Sequence, residues 1–312
     1  MTGTDAQVPP PIDPFTPVRN GRYRDRVLEV VGLDADRCAD QETDARGCRE
    51  LVHTPHFDVA EAGSRLVVRH RVPAALVDAN LAGLVHQELF GPGWLRGASL
   101  LERIVTAVVL TSRDDPITGW ECFYRNTLRE IDRTNLARRA GLEPTGNIAD
   151  FAPVYQHALA LVDTSTALEL GCSLGFLSLQ LAAAGVLTTA SDINPGTIAL
   201  LSTVAGRLGL SLRTTCANAA HYPSADDGIA DTVLVIHLLE HLDEPTGRRV
   251  LDEAIRLART RVVVAVPLED EPDDAWGHIR TFTLDDLTAL GAGRGRDAQV
   301  HEHHGGWLVL DL

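Results

Sequence analysis

The chain has 312 residues, with 43 acidic against 28 basic ones and a formal charge of −15. That length gives one large or two modest domains with chain enough for a real core. The charge makes nucleic acid and anionic membrane surfaces poor partners. Every basic residue other than histidine is arginine, so a lysine Schiff base or a P-loop lysine is excluded. Five cysteines (Cys38, Cys48, Cys122, Cys172 and Cys216) are scattered without a C-x-x-C pair, the usage of reduced thiols in the cytosol. The N-terminus carries no secretory pattern, and the apolar run Leu100–Leu110 is broken by Glu102 and Arg103; a soluble cytoplasmic protein is the expectation.

Residues 1–20 hold five prolines between Pro9 and Pro17 and read as an extended, mobile tail. Residues 21–144 read as a smaller α+β unit. It starts with a short amphipathic helix over Tyr23–Val31, then a hairpin within Phe57–His70 turning at Glu61–Ser64. Helical periodicity follows over Ser99–Leu110 and Trp120–Ala140. Trp120, Phe123 and Tyr124 form a stripe that suits a core face better than a sugar-stacking one. Asp150–Val162 makes a further helix.

From residue 145 onward, strands alternate with helices. The strands are Thr166–Leu170, Val186–Ser191, Leu212–Cys216, Thr232–Ile236 and Val262–Val266, with helices between them. Asn194-Pro195 opens one helix and Thr283 caps another, with Asp286 as its capping-box partner. Gln299–His303 and Trp307–Leu310 close the sequence as an antiparallel hairpin. Continuous apolar strands between helices imply a doubly wound parallel α/β sheet, with ligand beyond the strands' carboxyl ends.

Four strand ends carry chemistry. The first reads Glu169-x-Gly171-Cys172-Ser173-x-Gly175, a turn whose glycines let a ligand approach backbone and whose N–H groups open a helix. The carboxylate beside it repels phosphate and suits a cationic or zwitterionic ligand. The second ends at Asp192, 21 residues after Gly171, where a carboxylate can accept both hydroxyls of a ribose; a plain helix cap is its rival. The third delivers Asn218-Ala219, able to meet an adenine edge. The fourth delivers His237, followed by Leu-Leu-Glu240-His241-Leu242.

These four together resemble the class I S-adenosylmethionine-dependent methyltransferases, over about residues 145–312. The resemblance implies a Rossmann-like fold and S-adenosyl-L-methionine as cofactor. Glu169, Gly171, Cys172, Ser173 and Gly175 would face its methionine part, Asp192 and Ile193 its ribose, Asn218 and Ala219 its adenine, and His237 would border the same pocket. Ser173 stands where the family's middle glycine is common, and Asn218 where Asp is usual. More narrowly, Cys122–Asn135, Asn147–Tyr155 and His303–Asp311 are similar to the oligosaccharide O-methyltransferases associated with mycofactocin biosynthesis. That likeness implies methylation of a sugar hydroxyl on a glycosylated, peptide-derived acceptor; the unit over residues 21–144 is expected to cover the acceptor site.

Methyl transfer to a hydroxyl rests on collinear positioning and a base at the attacking oxygen. His237, His241 and His278 are the candidates, with Glu240 available to orient one of them. His301, His303 and His304 read as hairpin decoration, and no metal site is expected. A dinucleotide oxidoreductase on the same layout lacks the third glycine of G-x-G-x-x-G. A methyltransferase for another small molecule, or a non-catalytic relative of the fold, stays open on these residues, as does the oligomeric state.

Overall fold

The computed structural model describes residues 11–33, 49–223, 226–273 and 277–312. The first ten residues of the expected tail, Cys38 and Cys48 lie outside them. The chain divides into two compact units: residues 1–130 with 146–148, and residues 131–145 with 149–312. The division falls within the helix α3 (Pro116–Arg139), earlier than the break at 144/145 read from composition.

The first unit is built on a five-stranded sheet of order β1-β2-β5-β4-β3. Its strands are β1 (Arg22–Arg24), β2 (Leu28–Gly32), β3 (Arg49–His53), β4 (Phe57–Ala62) and β5 (Arg65–His70). The helix expected over Tyr23–Val31 is therefore an antiparallel strand pair, Tyr23 opposite Val30. Asp25 makes the reversal, its Oδ1 accepting from the N–H groups of Val27 and Leu28 at 2.8 Å each. β-Branched Val30 and Val31, both buried, then favour the extended chain. The Phe57–His70 hairpin forms as the pattern predicts. A short helix α1 (Leu81–Val85) and the longer α2 (Ala98–Thr111) follow. Thr111 Oγ1 donates to the Ala107 carbonyl at 2.7 Å and lies 2.9 Å from His70 Nε2, tying α2 to β5. Trp120, Phe123 and Tyr124 are buried, so that stripe is core. Residues 11–20, read as tail, include Pro14, whose carbonyl accepts from Trp120 Nε1 at 2.9 Å.

The second unit holds a seven-stranded sheet of order β11-β12-β10-β9-β6-β7-β8. The parallel strands are β6 (Thr166–Leu170), β7 (Leu187–Asp192), β8 (Leu212–Cys216), β9 (Ala230–Ile236) and β10 (Ala258–Val266). The antiparallel hairpin β11 (Asp297–Glu302) and β12 (Gly306–Asp311) adds at the β10 side. β10 starts four residues earlier than Val262, because the preceding helix α7 (Glu244–Leu257) stops at Leu257 and not at Arg259. The remaining helices are α4 (Asn147–Leu161), α5 (Phe176–Ala183), α6 (Pro195–Leu208) and α8 (Leu284–Gly291).

Strand alternation sorts side chains onto two faces. Leu168, Leu170, Val233, Val235, Val262 and Val264 pack with Val250, Leu251 and Ala254 of α7 and Leu287 of α8. Ala167, Leu234, Ile236, Val263 and Trp307 pack with Val154 and Ala158 of α4 and Leu177 and Leu181 of α5. Both faces are covered, which is why these strands read as unbroken apolar runs. The sheet reverses direction of growth between β6 and β9: β7 and β8 lie on one side, β9 and β10 on the other. Ligands of doubly wound sheets sit beyond the strand ends at such a point.

Candidate functional site

At the end of β6 the chain leaves the sheet through Gly171 and re-enters a helix at Gly175, both with φ of +73°. A Cβ on Gly171 would stand 2.8 Å from Leu238 Cδ1, and one on Gly175 would stand 2.7 Å from Leu201 Cδ1. Glycine is thus required at both positions by conformation and by space. Between them Ser173 is left-handed as well, at φ +49°, a small strain held in place by its neighbours. The N–H groups of Gly171 and Cys172 both donate to the Ser191 carbonyl, at 2.8 and 2.9 Å, pinning the loop to the end of β7.

Asp192, the last residue of β7, closes this turn. Its Oδ2 accepts from the Ser173 N–H and its Oδ1 from the Asn194 N–H, each at 2.9 Å. The N-cap of α6 is Asn194, whose Oδ1 takes the N–H groups of Gly196 and Thr197. The helix-cap reading of Asp192 is therefore corrected: the cap is two residues further on. A carboxylate has about four acceptor positions, so two used by backbone leave capacity for a diol. Ile193 beside it is exposed.

Beneath the loop Glu169 is buried, accepting a hydrogen bond from Ser178 of α5. Burial, reinforced by the charge of Asp192, pushes its carboxyl up to about 7. The Cys172 thiol is pushed far up by burial and then by Glu169 and Asp192, which rules it out as a thiolate nucleophile at neutral pH. Negative potential thus converges on this turn from two carboxylates, Glu169 and Asp192, favouring a cationic ligand over a pyrophosphate.

Sequence reasoning missed Tyr155 as part of this site. This residue of α4 lies close enough to Glu169 and Cys172 for their charge to add to burial in raising its phenol. Its ring contacts Phe151, which stacks on Phe176 at the start of α5. No spacing rule links a preceding helix to a glycine turn, so only the packing reveals it.

At the other strand ends, Asn218 is exposed after β8, with Oδ1 accepting from Ala220 N–H at 2.9 Å, and Ala219 is half-buried. His237 follows β9 in a left-handed conformation, φ +51°, with its N–H on the Ala265 carbonyl at 2.9 Å. Its neighbour Leu238 lies against Gly171, which brings the β9 end up to the glycine loop. Burial, with His278 and His241 nearby, lowers His237 to about 4, so its imidazole is neutral at physiological pH. His241 is exposed and donates from Nδ1 to the Gly277 carbonyl at 3.1 Å. His278 is buried and donates from Nδ1 to Glu269 at 2.8 Å. The three histidines picked out from the sequence are therefore neighbours, the His241 and His278 ring centres being 4.9 Å apart. Glu269 went unnoticed in the sequence because it lies in an irregular segment with no periodic signal. His301 and His303 do sit on the terminal hairpin, but His157 of α4 joins them, its Nε2 2.7 Å from that of His301.

A glycine turn over a buried acid, an acidic β7 end and a switch point between β6 and β9 thus meet at one edge of a doubly wound α/β domain. Residues 167–261 match the family model described as a methyltransferase domain. This region is an S-adenosylmethionine-dependent methyltransferase domain, and S-adenosylmethionine is its cofactor. No curated protein matches the chain. Among solved structures, it is similar to a magnesium protoporphyrin IX methyltransferase from Synechocystis PCC 6803 crystallised with SAH. That match has 15% identity over 58% of this chain and 94% of that one, at a TM-score of 0.44. A methyltransferase from Methanosarcina mazei matches at 20% identity over 50% of this chain and 95% of that one, at 0.41. The PH0226 protein from Pyrococcus horikoshii matches at 13% identity over 52% and 88%, at 0.44. Likenesses at these values carry nothing about acceptor chemistry. Among the described residues no helix is long and apolar enough to cross a membrane.

Proposed function

We propose that the chain is an O-methyltransferase acting on a sugar hydroxyl, with the oligosaccharide of a mycofactocin-type, peptide-derived acceptor as its substrate. The observation that carries the cofactor half is the loop held between Gly171 and Gly175 over Glu169 and closed by Asp192. The sugar half is supported by the likeness of Cys122–Asn135, Asn147–Tyr155 and His303–Asp311 to that oligosaccharide family. In this reading Glu169, Gly171, Cys172, Ser173 and Gly175 hold the methionine portion. Asp192 and Ile193 take the ribose, and Asn218 and Ala219 the adenine.

Bound S-adenosylmethionine supplies an electrophilic methyl group on a positively charged sulfur. The chain's own part is to hold the acceptor oxygen in line with it and to accept the hydroxyl proton. His237 is the base in this reading. It is neutral at pH 7, it is adjacent to the glycine loop, and its buried Nε2 has no hydrogen-bond partner among the described residues. His241 and His278 stand one layer out, each with Nδ1 already committed to an acceptor.

Two measurements test this. Calorimetry with S-adenosylhomocysteine and with NAD should show affinity for the first alone, reduced at least tenfold in Asp192→Ala; binding of NAD instead would favour an oxidoreductase. Incubation with S-adenosylmethionine and oligoglucosylated acceptors, followed by mass spectrometry, should show the gain of one methyl mass on the glycan. A methyl group found only on a non-sugar acceptor would replace the sugar reading with that of another small-molecule methyltransferase.

A further inference from the structure

Glu240 has no place in the scheme above, and its surroundings are unusual. It lies in the single helical turn Leu239–His241, with no exposure to solvent, and neither carboxylate oxygen has a hydrogen-bond partner among the described residues. A buried carboxylate without a hydrogen bond is unfavourable unless it is neutralised or bound to a counter-charge. No arginine supplies that charge in any ion pair of Glu240 among the described residues; its nearest recorded partner is His237 Nδ1, 3.9 Å away.

What does face Glu240 is a pair of imidazoles. One ligand atom each from Glu240, His241 and His278 falls within 4.8 Å of the other two. Both rings are set up in the manner of metal ligands. The Nδ1–H of His241 is held by the Gly277 carbonyl at 3.1 Å, and that of His278 by the Glu269 carboxylate at 2.8 Å. Each bond fixes the tautomer and leaves the Nε2 lone pair free, which is the outer-shell arrangement that supports ligating histidines. The backbone is braced too, since Ile279 N–H donates to the Glu240 carbonyl at 2.9 Å, locking the 277–280 segment to the turn. Glu240 and His278 are buried and His241 is exposed, so solvent reaches the cluster at His241.

We infer that Glu240, His241 and His278 form a binding site for a divalent transition-metal ion of the zinc class. Two imidazoles with one carboxylate select such an ion over magnesium or calcium, which prefer all-oxygen shells. Three protein ligands leave a position for an exogenous oxygen, as catalytic zinc sites do. The site departs from the expectation that the chain has none. Its role rests on the methyltransferase reading: next to His237, the ion would hold the acceptor hydroxyl and make its proton easier to remove.

The full chain, stripped with chelator and titrated calorimetrically with zinc chloride, should bind one equivalent. Cobalt(II) should give the intense visible absorption of a low-coordinate nitrogen and oxygen site. Glu240→Gln, close in shape, and His241→Ala, at an exposed position, should each weaken zinc at least tenfold while S-adenosylhomocysteine affinity stays unchanged. Zinc binding that is absent in the wild type, or equal in both variants, overturns the site. Methyl transfer undiminished in chelator-stripped protein that still takes up one equivalent of added zinc overturns its role. Failure of S-adenosylhomocysteine to bind at all would strike the methyltransferase reading and leave the zinc titration standing, so the two outcomes separate.

Discussion

Glu169→Gln is expected to make the ligand-free protein more stable above neutral pH while weakening the cofactor site. The wild-type carboxyl is buried, and its pKa rises from an ordinary 4.5 to about 7. Below pH 4.5 folded and unfolded chains both hold the proton, and the residue costs nothing. Between 4.5 and 7 the unfolded chain releases it while the folded chain keeps it, so stability falls as pH rises. Above 7 the whole penalty applies, about 3 kcal/mol at roughly 1.4 kcal/mol per pH unit. Glutamine cannot ionise, and its carbonyl can still accept the Ser178 hydroxyl. Urea unfolding of both proteins at pH 5 and pH 8 reads the difference. The gap between variant and wild type should widen from pH 5 to pH 8 by about 2.5 kcal/mol, in favour of the variant. Parallel stability curves across that window would refute the claim that Glu169 is buried against its charged form.

Gly175→Ala places a side chain at φ +73° with its Cβ against Leu201, so a loss of about 1–2 kcal/mol from backbone strain alone is expected. Calorimetry should also show weaker S-adenosylhomocysteine binding. Trp307→Ala removes a ring with no solvent exposure from the β12 core; chemical denaturation should report a loss of about 3–5 kcal/mol, and a change under about 1 kcal/mol would contradict its burial. Thiol titration at pH 8 should find Cys216, which is exposed, fast to react and Cys172 slow, since burial and neighbouring carboxylates hold the latter as a thiol.

The second unit was legible from sequence because its strands are buried on both faces. Val262–Val266 and Thr232–Ile236 read as strands on composition alone, and Asn194-Pro195 and Thr283 with Asp286 announced their helices through side-chain caps. The glycine loop was legible for a similar reason, since left-handed φ at Gly171 and Gly175 leaves almost no other residue possible. The first unit was harder. Leu28, Val30 and Val31 fit an amphipathic helix and a strand alike over so few residues, and only pairing with β5 decides between them. Long-range partners were invisible for the same reason. Nothing in the spacing tells that Glu269 will meet His278, that Tyr155 will lie beside Glu169, or that His157 will reach the hairpin.

The placement of β12 between β10 and β11 has a consequence for how this protein misbehaves. The hairpin shields the apolar end of β10: Val262–Ala265 pairs with β9 on one side, and Val262–Val266 with Gly306–Leu310 on the other. The outer rows are β8, half-exposed and carrying Arg213, and β11, mostly exposed and polar, neither of which invites a foreign strand. Should the hairpin detach, five consecutive apolar residues with unsatisfied backbone groups would face solvent, a ready template for intermolecular pairing. Aggregation on mild heating should then begin by release of the hairpin, ahead of any loss of the nucleoside pocket.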